Sequence, residues 1–284
     1  MFARASVPYE FGAARKRNAS SENFPVASRL LAPRVRGPVM AFYRFARAAD
    51  DVADDPALGP GDRLVRLAAF AAALDGGPGA PEAGALRAAL GPDGAAGLAQ
   101  AHRLLEAFRM DAEGSSYATW TDLLGYCACS ADPVGRFLTG LHGEAEATGA
   151  LADPLCTALQ VLNHLQDIRE DRVRLGRIYL PADWLAAEGV VPDDLARDRA
   201  TPGLRRVIDR ALGGCEGLLA RASALPAAIR DPGLRAQARA TLGLAHGLAA
   251  ALRRADPLAG RVAPGRLRVA GAVAGAALGR AAGA

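Results

Sequence analysis

Two stretches of the chain, "ARAADDVADD" (46–55) and "NHLQDIREDR" (163–172), each set aspartates four residues apart in a helical context. Few folds accommodate both. Residues four apart share a helix face, so Asp50 stands with Asp54 and Asp167 with Asp171. Each like-charge pair costs its helix about 0.2–0.5 kcal/mol. Carboxylates in a last turn also oppose the helix dipole, at about 0.3–1 kcal/mol per charge. A chain that keeps two such arrangements needs either water to screen them or cations to hold them.

With each residue turning about 100°, Tyr43, Arg47, Asp50 and Asp54 fall within about 60° of one another and form one polar stripe. Phe42 and Phe45 point elsewhere, towards packing. Asp51 and Asp55 lie about 60–100° off the stripe and are expected to serve the local field or the solvent. In the second stretch Gln160, Asn163, Asp167, Glu170, Asp171 and Arg174 share a stripe. Leu155, Leu159, Leu162, Leu165, Ile168 and Val173 flank it on both sides, which predicts a helix buried on most sides with its carboxylates facing a cavity. Taken alone, the first stretch reads as a solvated helix end. The second changes that, because unpaired buried carboxylates are costly and a cation is their natural partner.

The donors are oxygen-only, without His or Cys at ligand spacing. Magnesium suits them, since it takes one or two carboxylates and fills its shell with waters and substrate phosphates. A glycine-containing twelve-residue calcium loop is absent, and paired-carboxylate glycoside hydrolysis does not use two helical quartets.

The rest of the sequence supports an all-α fold. Of 284 residues 51% are hydrophobic but only 5% aromatic, which suits helices that pack closely through small side chains. No run of alternating β-branched residues predicts a strand. Gly37-Pro38 is expected to open a helix that Pro56 closes. Further helices are expected near 61–75, 94–111, 118–130 and 133–144, and Asp153-Pro154 opens one running to about 174. A loop then leads to a short helix within 176–189, followed by helices near 202–223, 227–254 and 265–282. "DGGPGAPEAG" (75–84) reads as a flexible loop too short for a linker, so residues 1–284 are expected to form one domain with a core of about 18–260.

Composition excludes several function classes. A net charge of +4 with scattered arginines and one lysine, Lys16, carries no zinc-finger, RNP or basic-zipper pattern, so no nucleic-acid partner is expected. Cys127, Cys129, Cys156 and Cys215 form no paired framework and read as buried thiols of a reducing cytoplasm. The longest clean apolar run, "VAGAVAGAALG" (269–279), is eleven residues, against the roughly 20 that span a bilayer. A tail lying on the inner face of a membrane stays compatible with it.

"DDVAD" (50–54) and "NHLQDIRED" (163–171), followed by "GRIYLP" (176–181), resemble the squalene/phytoene synthase family of head-to-head prenyl transferases. The resemblance implies a single isoprenoid-synthase-type helical bundle around a central active-site cavity, in which Mg²⁺ bridges the Asp-rich helices to a diphosphate. "SENFPVASRLL" (21–31) and "YCACSADPVGRFL" (126–138) look like its bacterial hydroxysqualene synthase branch, of hopanoid biosynthesis. That branch implies conversion of presqualene diphosphate and water to hydroxysqualene and diphosphate.

Carried over position by position, the resemblance makes Asp50, Asp54, Asn163, Asp167 and Asp171 metal-site residues, the four aspartates catalytic. Arg47 matches a diphosphate-contacting arginine, Tyr43 shares its stripe, and Ser21 and Asn23 fall where relatives touch diphosphate. Tyr126 lies in the substrate-lining helix, and Arg174, Arg177 and Tyr179 in a flap after the second motif. Surface arginines and a packing tyrosine are the alternative for those last three. Relatives that join two farnesyl diphosphates commonly carry a basic residue where this chain has Glu22, and an arginine where it has Gln166. The two exchanges suit a substrate with one diphosphate.

No GxGxxG fingerprint opens a helix after a strand, and capture of the cation by water requires no hydride, so no NADPH is expected. The apolar substrate and product suit transient membrane contact and handover from a presqualene diphosphate synthase. The rivals are presqualene diphosphate, squalene and phytoene synthases and, outside enzymology, a helical membrane-binding scaffold that tolerates Asp50→Ala and Asp167→Ala.

Overall fold

Proline and capping residues set most helix starts in this chain. A computed structural model describes residues 30–263, and those residues form helices and connecting turns without a strand. Eleven α-helices follow one another: α1 Pro33–Ala53, α2 Pro60–Leu74, α3 Pro81–Leu90, α4 Ala95–Glu113, α5 Trp120–Ser130 and α6 Asp132–Leu141. Then come α7 Ala145–Glu170, α8 Ala182–Ala187, α9 Pro202–Ala222, α10 Leu225–Ala228 and α11 Pro232–Arg254. A wide π turn, Asp171–Leu175, extends α7, and a 3₁₀ turn, Pro192–Ala196, follows α8.

Local chemistry explains the starts. Proline occupies the first turn of α2, α3, α9 and α11, where its missing N–H costs nothing. Thr119 and Asp122 close a reciprocal capping box on α5. Asp231 accepts the Leu234 N–H at 2.8 Å and caps α11.

Four boundaries differ from expectation, one of them the helix expected near 227–254, which begins at Pro232 because Ile229 is extended and Asp231 caps the new start. Helix α1 begins at Pro33, so Pro38 lies inside it. The carbonyl that Pro38 leaves without a partner belongs to exposed Arg34, where water can take it. Helix α7 begins eight residues before Asp153, and Pro154 again strips a carbonyl from an exposed residue, Ala150. Asp153 caps nothing. It pairs with Arg136 of α6 through two bonds of 2.9 and 2.7 Å. The expected loop at 75–84 ends early, because Pro81 and Glu82 start α3 despite the glycines around them. The helix expected at 265–282 lies outside the described residues.

Helix α7 is the axis of the bundle. It packs on α5, α6, α9, α10 and α11, while α1 packs on α2, α3 and α4. One continuous apolar core joins them, with Phe45, Leu105, Leu123, Leu162, Leu165 and Ile208 fully buried. Phe42 stacks on Phe137 at 4.0 Å between ring centres. Small residues set the spacing. A methyl group on Gly135 would stand 2.6 Å from the Cys156 Sγ and 3.2 Å from the Ala152 Cβ, so a larger residue there would force Cys156 to shift.

Candidate active site

The first acidic stripe sits at the C-terminal end of α1, where the helix dipole disfavours it. Arg47 offsets part of the cost by donating to Asp50 at 2.8 Å and to Asp51. Asp50 keeps 35% of its side-chain surface accessible. Burial pushes its carboxyl up to about 7, with Asp54 adding to the shift and Arg47 opposing it. Asp51 is 62% exposed, and Asp55 turns back to accept the Ala57 N–H at 2.9 Å. Those two stay off the stripe, as the helix geometry predicts.

The second stripe ends α7. Asn163, Asp167 and Asp171 are half-buried, while Glu170 is exposed and accepts from Arg174 at 2.6 Å. Arg174, 46% exposed, thus lies on the outer side of the π turn. Arg177 does the opposite. Gly176 adopts a left-handed φ of 68° and reverses the chain, which turns the Arg177 side chain inward. Its Nη1 donates to Asp54 at 2.5 Å and its Nη2 to the Ala53 carbonyl at 2.9 Å, across 123 residues of sequence. Burial works against the Arg177 charge, but Asp111, Tyr179 and Asp54 together more than offset it, so it stays cationic.

Asp111, near the end of α4, carries no role in the sequence reading and is the hub of the site. It is buried, and its two oxygens accept from Tyr126 at 2.8 Å and Tyr179 at 2.7 Å. Burial pushes its carboxyl up, while Arg177 and the two tyrosines pull it back. The rings of Tyr126, Tyr179 and Tyr117 close around it with centres 5.2–6.0 Å apart. His164 stacks on Tyr179 at 3.7 Å. The Gln160 amide nitrogen can only donate, so His164 Nε2 accepts it at 3.1 Å and Nδ1 carries the proton, facing Asp171 at 3.7 Å. Burial lowers His164 to about 4, so it is neutral at pH 7.

The two acidic helices are therefore linked by Asp111, Arg177 and an aromatic layer. A signal for Asp111 existed: it continues the buried face of Leu104 and Phe108 at helical spacing, an acidic residue on an apolar stripe. The fate of Gln166 had none. It is buried and its amide donates to the Val262 carbonyl, so it clamps the C-terminal chain. Tyr43 is half-buried on the stripe of Arg47. Ser21, Asn23 and Glu22 lie outside the described residues.

Among the described residues no three carboxylates and histidines converge into a ready-made cage for a metal. Each helix offers two carboxylates, and Asp50 shares the one guanidinium of Arg47 with Asp51. Such a donor set fits a hard cation that completes its shell with diphosphate and water.

The chain matches the family described as Squalene/phytoene synthase over residues 17–270. It is 41% identical over 261 residues to the hydroxysqualene synthase of Zymomonas mobilis, covering 91% of this chain and 88% of that one. It is 40% identical over 244 residues to the hydroxysqualene synthase of Rhodopseudomonas palustris, covering 85% and 82%. The solved squalene synthase HpnC from Alicyclobacillus acidocaldarius superposes with a TM-score of 0.70 at 35% identity, over 81% of this chain and 87% of that one. A dehydrosqualene synthase structure at 24% identity shares the fold, with a TM-score of 0.71 over 90% of each chain.

Proposed function

The chain belongs to the squalene/phytoene synthase family, and from that premise we propose that it converts presqualene diphosphate and water to hydroxysqualene and diphosphate with Mg²⁺ and without NADPH. The observation that carries the reading is the layer of Tyr117, Tyr126, Tyr179 and His164 around buried Asp111, set between two acidic helices. The two acidic helices supply charge for a departing anion, and the aromatic layer between them supplies ring faces for a carbocation.

Asp50 and Asp54 on one helix, and Asn163, Asp167 and Asp171 on the other, would hold the metal. Bound magnesium supplies charge neutralisation for the departing diphosphate. Arg47 and Arg177 donate to its oxygens, which stabilises the developing anion most as the bond breaks. The ring faces of Tyr126 and Tyr179 and the carboxylate of Asp111 then stabilise the rearranging cation. Neutral His164 adds no opposing charge. Water captures the allylic cation, its oxygen forming the new C–O bond and its proton passing to the released diphosphate. Ser21, Asn23 and Tyr43 complete the substrate contacts, and residues 1–284 act as one domain.

No described helix is long and apolar enough to cross a membrane. The apolar substrate and product nevertheless favour transient contact of a cytoplasmic protein with the inner membrane face, and handover from a presqualene diphosphate synthase.

The test is to incubate the protein with Mg²⁺ and presqualene diphosphate in H₂¹⁸O, without NADPH, and identify the product by mass. Labelled hydroxysqualene is expected. Squalene formed only on adding NADPH, or presqualene diphosphate formed from farnesyl diphosphate alone, would assign the chain to another branch of the family.

A further inference from the structure

The proposed reaction consumes a water, and that water has to stand beside the cation when it forms. A cleft fits the need. It lies where the end of α7 meets the chain after the π turn, with His164, Ile168, Asp171, Arg177, Tyr179 and Leu195 among its walls. Its volume is about 10 Å³, close to the least that admits one water molecule and too little for a larger nucleophile. A buried water needs about two to four polar partners. His164 Nδ1 and Asp171 Oδ2 stand 3.7 Å apart, too far for a direct hydrogen bond and near enough for one water to reach both. The imidazole is held from two sides, by its stack on Tyr179 at 3.7 Å and by the Gln160 amide on Nε2 at 3.1 Å. Nδ1 therefore carries the proton and donates. Asp171 accepts, and a carboxylate offers about four lone-pair sites, so it can serve a metal and a water together.

We propose that this cleft is the binding site of the water that captures the allylic cation, and that His164 positions it. The water accepts from Nδ1–H and donates to Asp171, which leaves a second lone pair and a second O–H. His164 and Tyr179 belong both to the cleft and to the aromatic layer, so that lone pair lies beside the rings that face the cation. It forms the C–O bond to the allylic carbon. One O–H bond breaks and its proton passes to the released diphosphate, which balances atoms and charge. Asp171 polarises the water and keeps its own charge throughout. The inference rests on the hydroxysqualene reading given above and adds a reason for its nucleophile: the cleft holds one water and excludes anything larger.

The experiment gives the full chain presqualene diphosphate and Mg²⁺ in H₂¹⁸O and measures, by mass, the share of isoprenoid product that carries ¹⁸O. His164→Phe keeps a ring on Tyr179 and removes the N–H. Its labelled share should fall about fivefold, the scale of one lost hydrogen bond, and an unlabelled polyene should rise as the cation loses a proton to diphosphate instead. His164→Asn retains an N–H near the position of Nδ1 and should recover most of the label. Leu195→Phe leaves every polar partner in place and fills the cleft, so its labelled share should fall likewise; it decides the matter if His164→Phe does not fold. The readout is a share and not a rate, which a merely slower or less stable enzyme would not move. An undiminished labelled share in either folded Phe variant, or no recovery in His164→Asn, overturns the water site and leaves the hydroxysqualene reading standing. A wild type that forms no labelled hydroxysqualene takes down both.

Discussion

The two acidic helices look alike in sequence and differ in how their charge is managed. At the end of α1 the carboxylates have cationic partners, Arg47 one turn back and Arg177 across the bundle. At the end of α7 Asp171 faces a neutral histidine, and the stripe is backed by aromatic rings. The first helix is thus tied across the bundle by an ion pair, and the second lies against an aromatic layer. Burial explains the asymmetry. Helix α7 is packed by five other α-helices and α1 by three, and the α1 motif ends one residue past its helix.

Removing a metal-facing carboxylate from either side should have the largest effect. Asp50→Asn and Asp167→Asn are each expected to lower kcat by about a thousandfold, the upper range for losing one electrostatic contributor. Steady-state assays with presqualene diphosphate at saturating Mg²⁺ measure it. A mild effect at one site only would show that the two helices do not share the metal load. Asp111→Asn should cost about a hundredfold, because it removes the anion that faces Arg177 and both tyrosines while preserving shape. Its signature is in kcat, with KM changed far less.

The same Asp50 that activity needs should weaken the metal-free fold. Its carboxyl is raised from 3.8 to about 7, so the folded state binds more protons than the unfolded chain between those values. Stability therefore falls as pH rises through that window. Thermal melts in EDTA from pH 5 to pH 8 should show Asp50→Asn losing part of this slope and melting a few degrees above the wild type at pH 8. Asp132, buried at the start of α6 and likewise raised to about 7, keeps its own share of the slope. Mg²⁺ with pyrophosphate should bring the wild type level with the variant.

What could be read from sequence follows the range of the interactions. The stripe of Tyr43, Arg47, Asp50 and Asp54 is set by one helix, and 100° arithmetic recovers it along with the burial of Phe42 and Phe45. Pro38 and Pro154 mislead the boundaries because tolerance of a proline depends on whether the orphaned carbonyl meets water, which is a tertiary fact. The bond from Arg177 to Asp54 spans 123 residues and is invisible to any local pattern. Asp111 falls between. Its position on an apolar face was legible, but its two tyrosine partners come from other segments, and only the fold shows that they converge on it.

The smallest effect tests the finest distinction, between neighbours in "DDVAD". Asp51 stands beside Asp50, pairs with the same arginine, and is 62% exposed. If the helix stripe and not the local acidity makes the site, Asp51→Asn should change kcat by no more than about threefold, the scale of an exposed ion pair. The small change should shrink further at high salt, since the Debye length falls to about 3 Å at 1 M. A loss approaching that of Asp50→Asn would mean that Arg47 is positioned by Asp51 and that charge along this helix end works as a unit. An effect confined to low salt would instead locate Asp51 in the long-range field that draws a diphosphate towards the bundle. In either case Asp50 and Asp51 separate by orientation alone, for they share a helix, a partner and a charge.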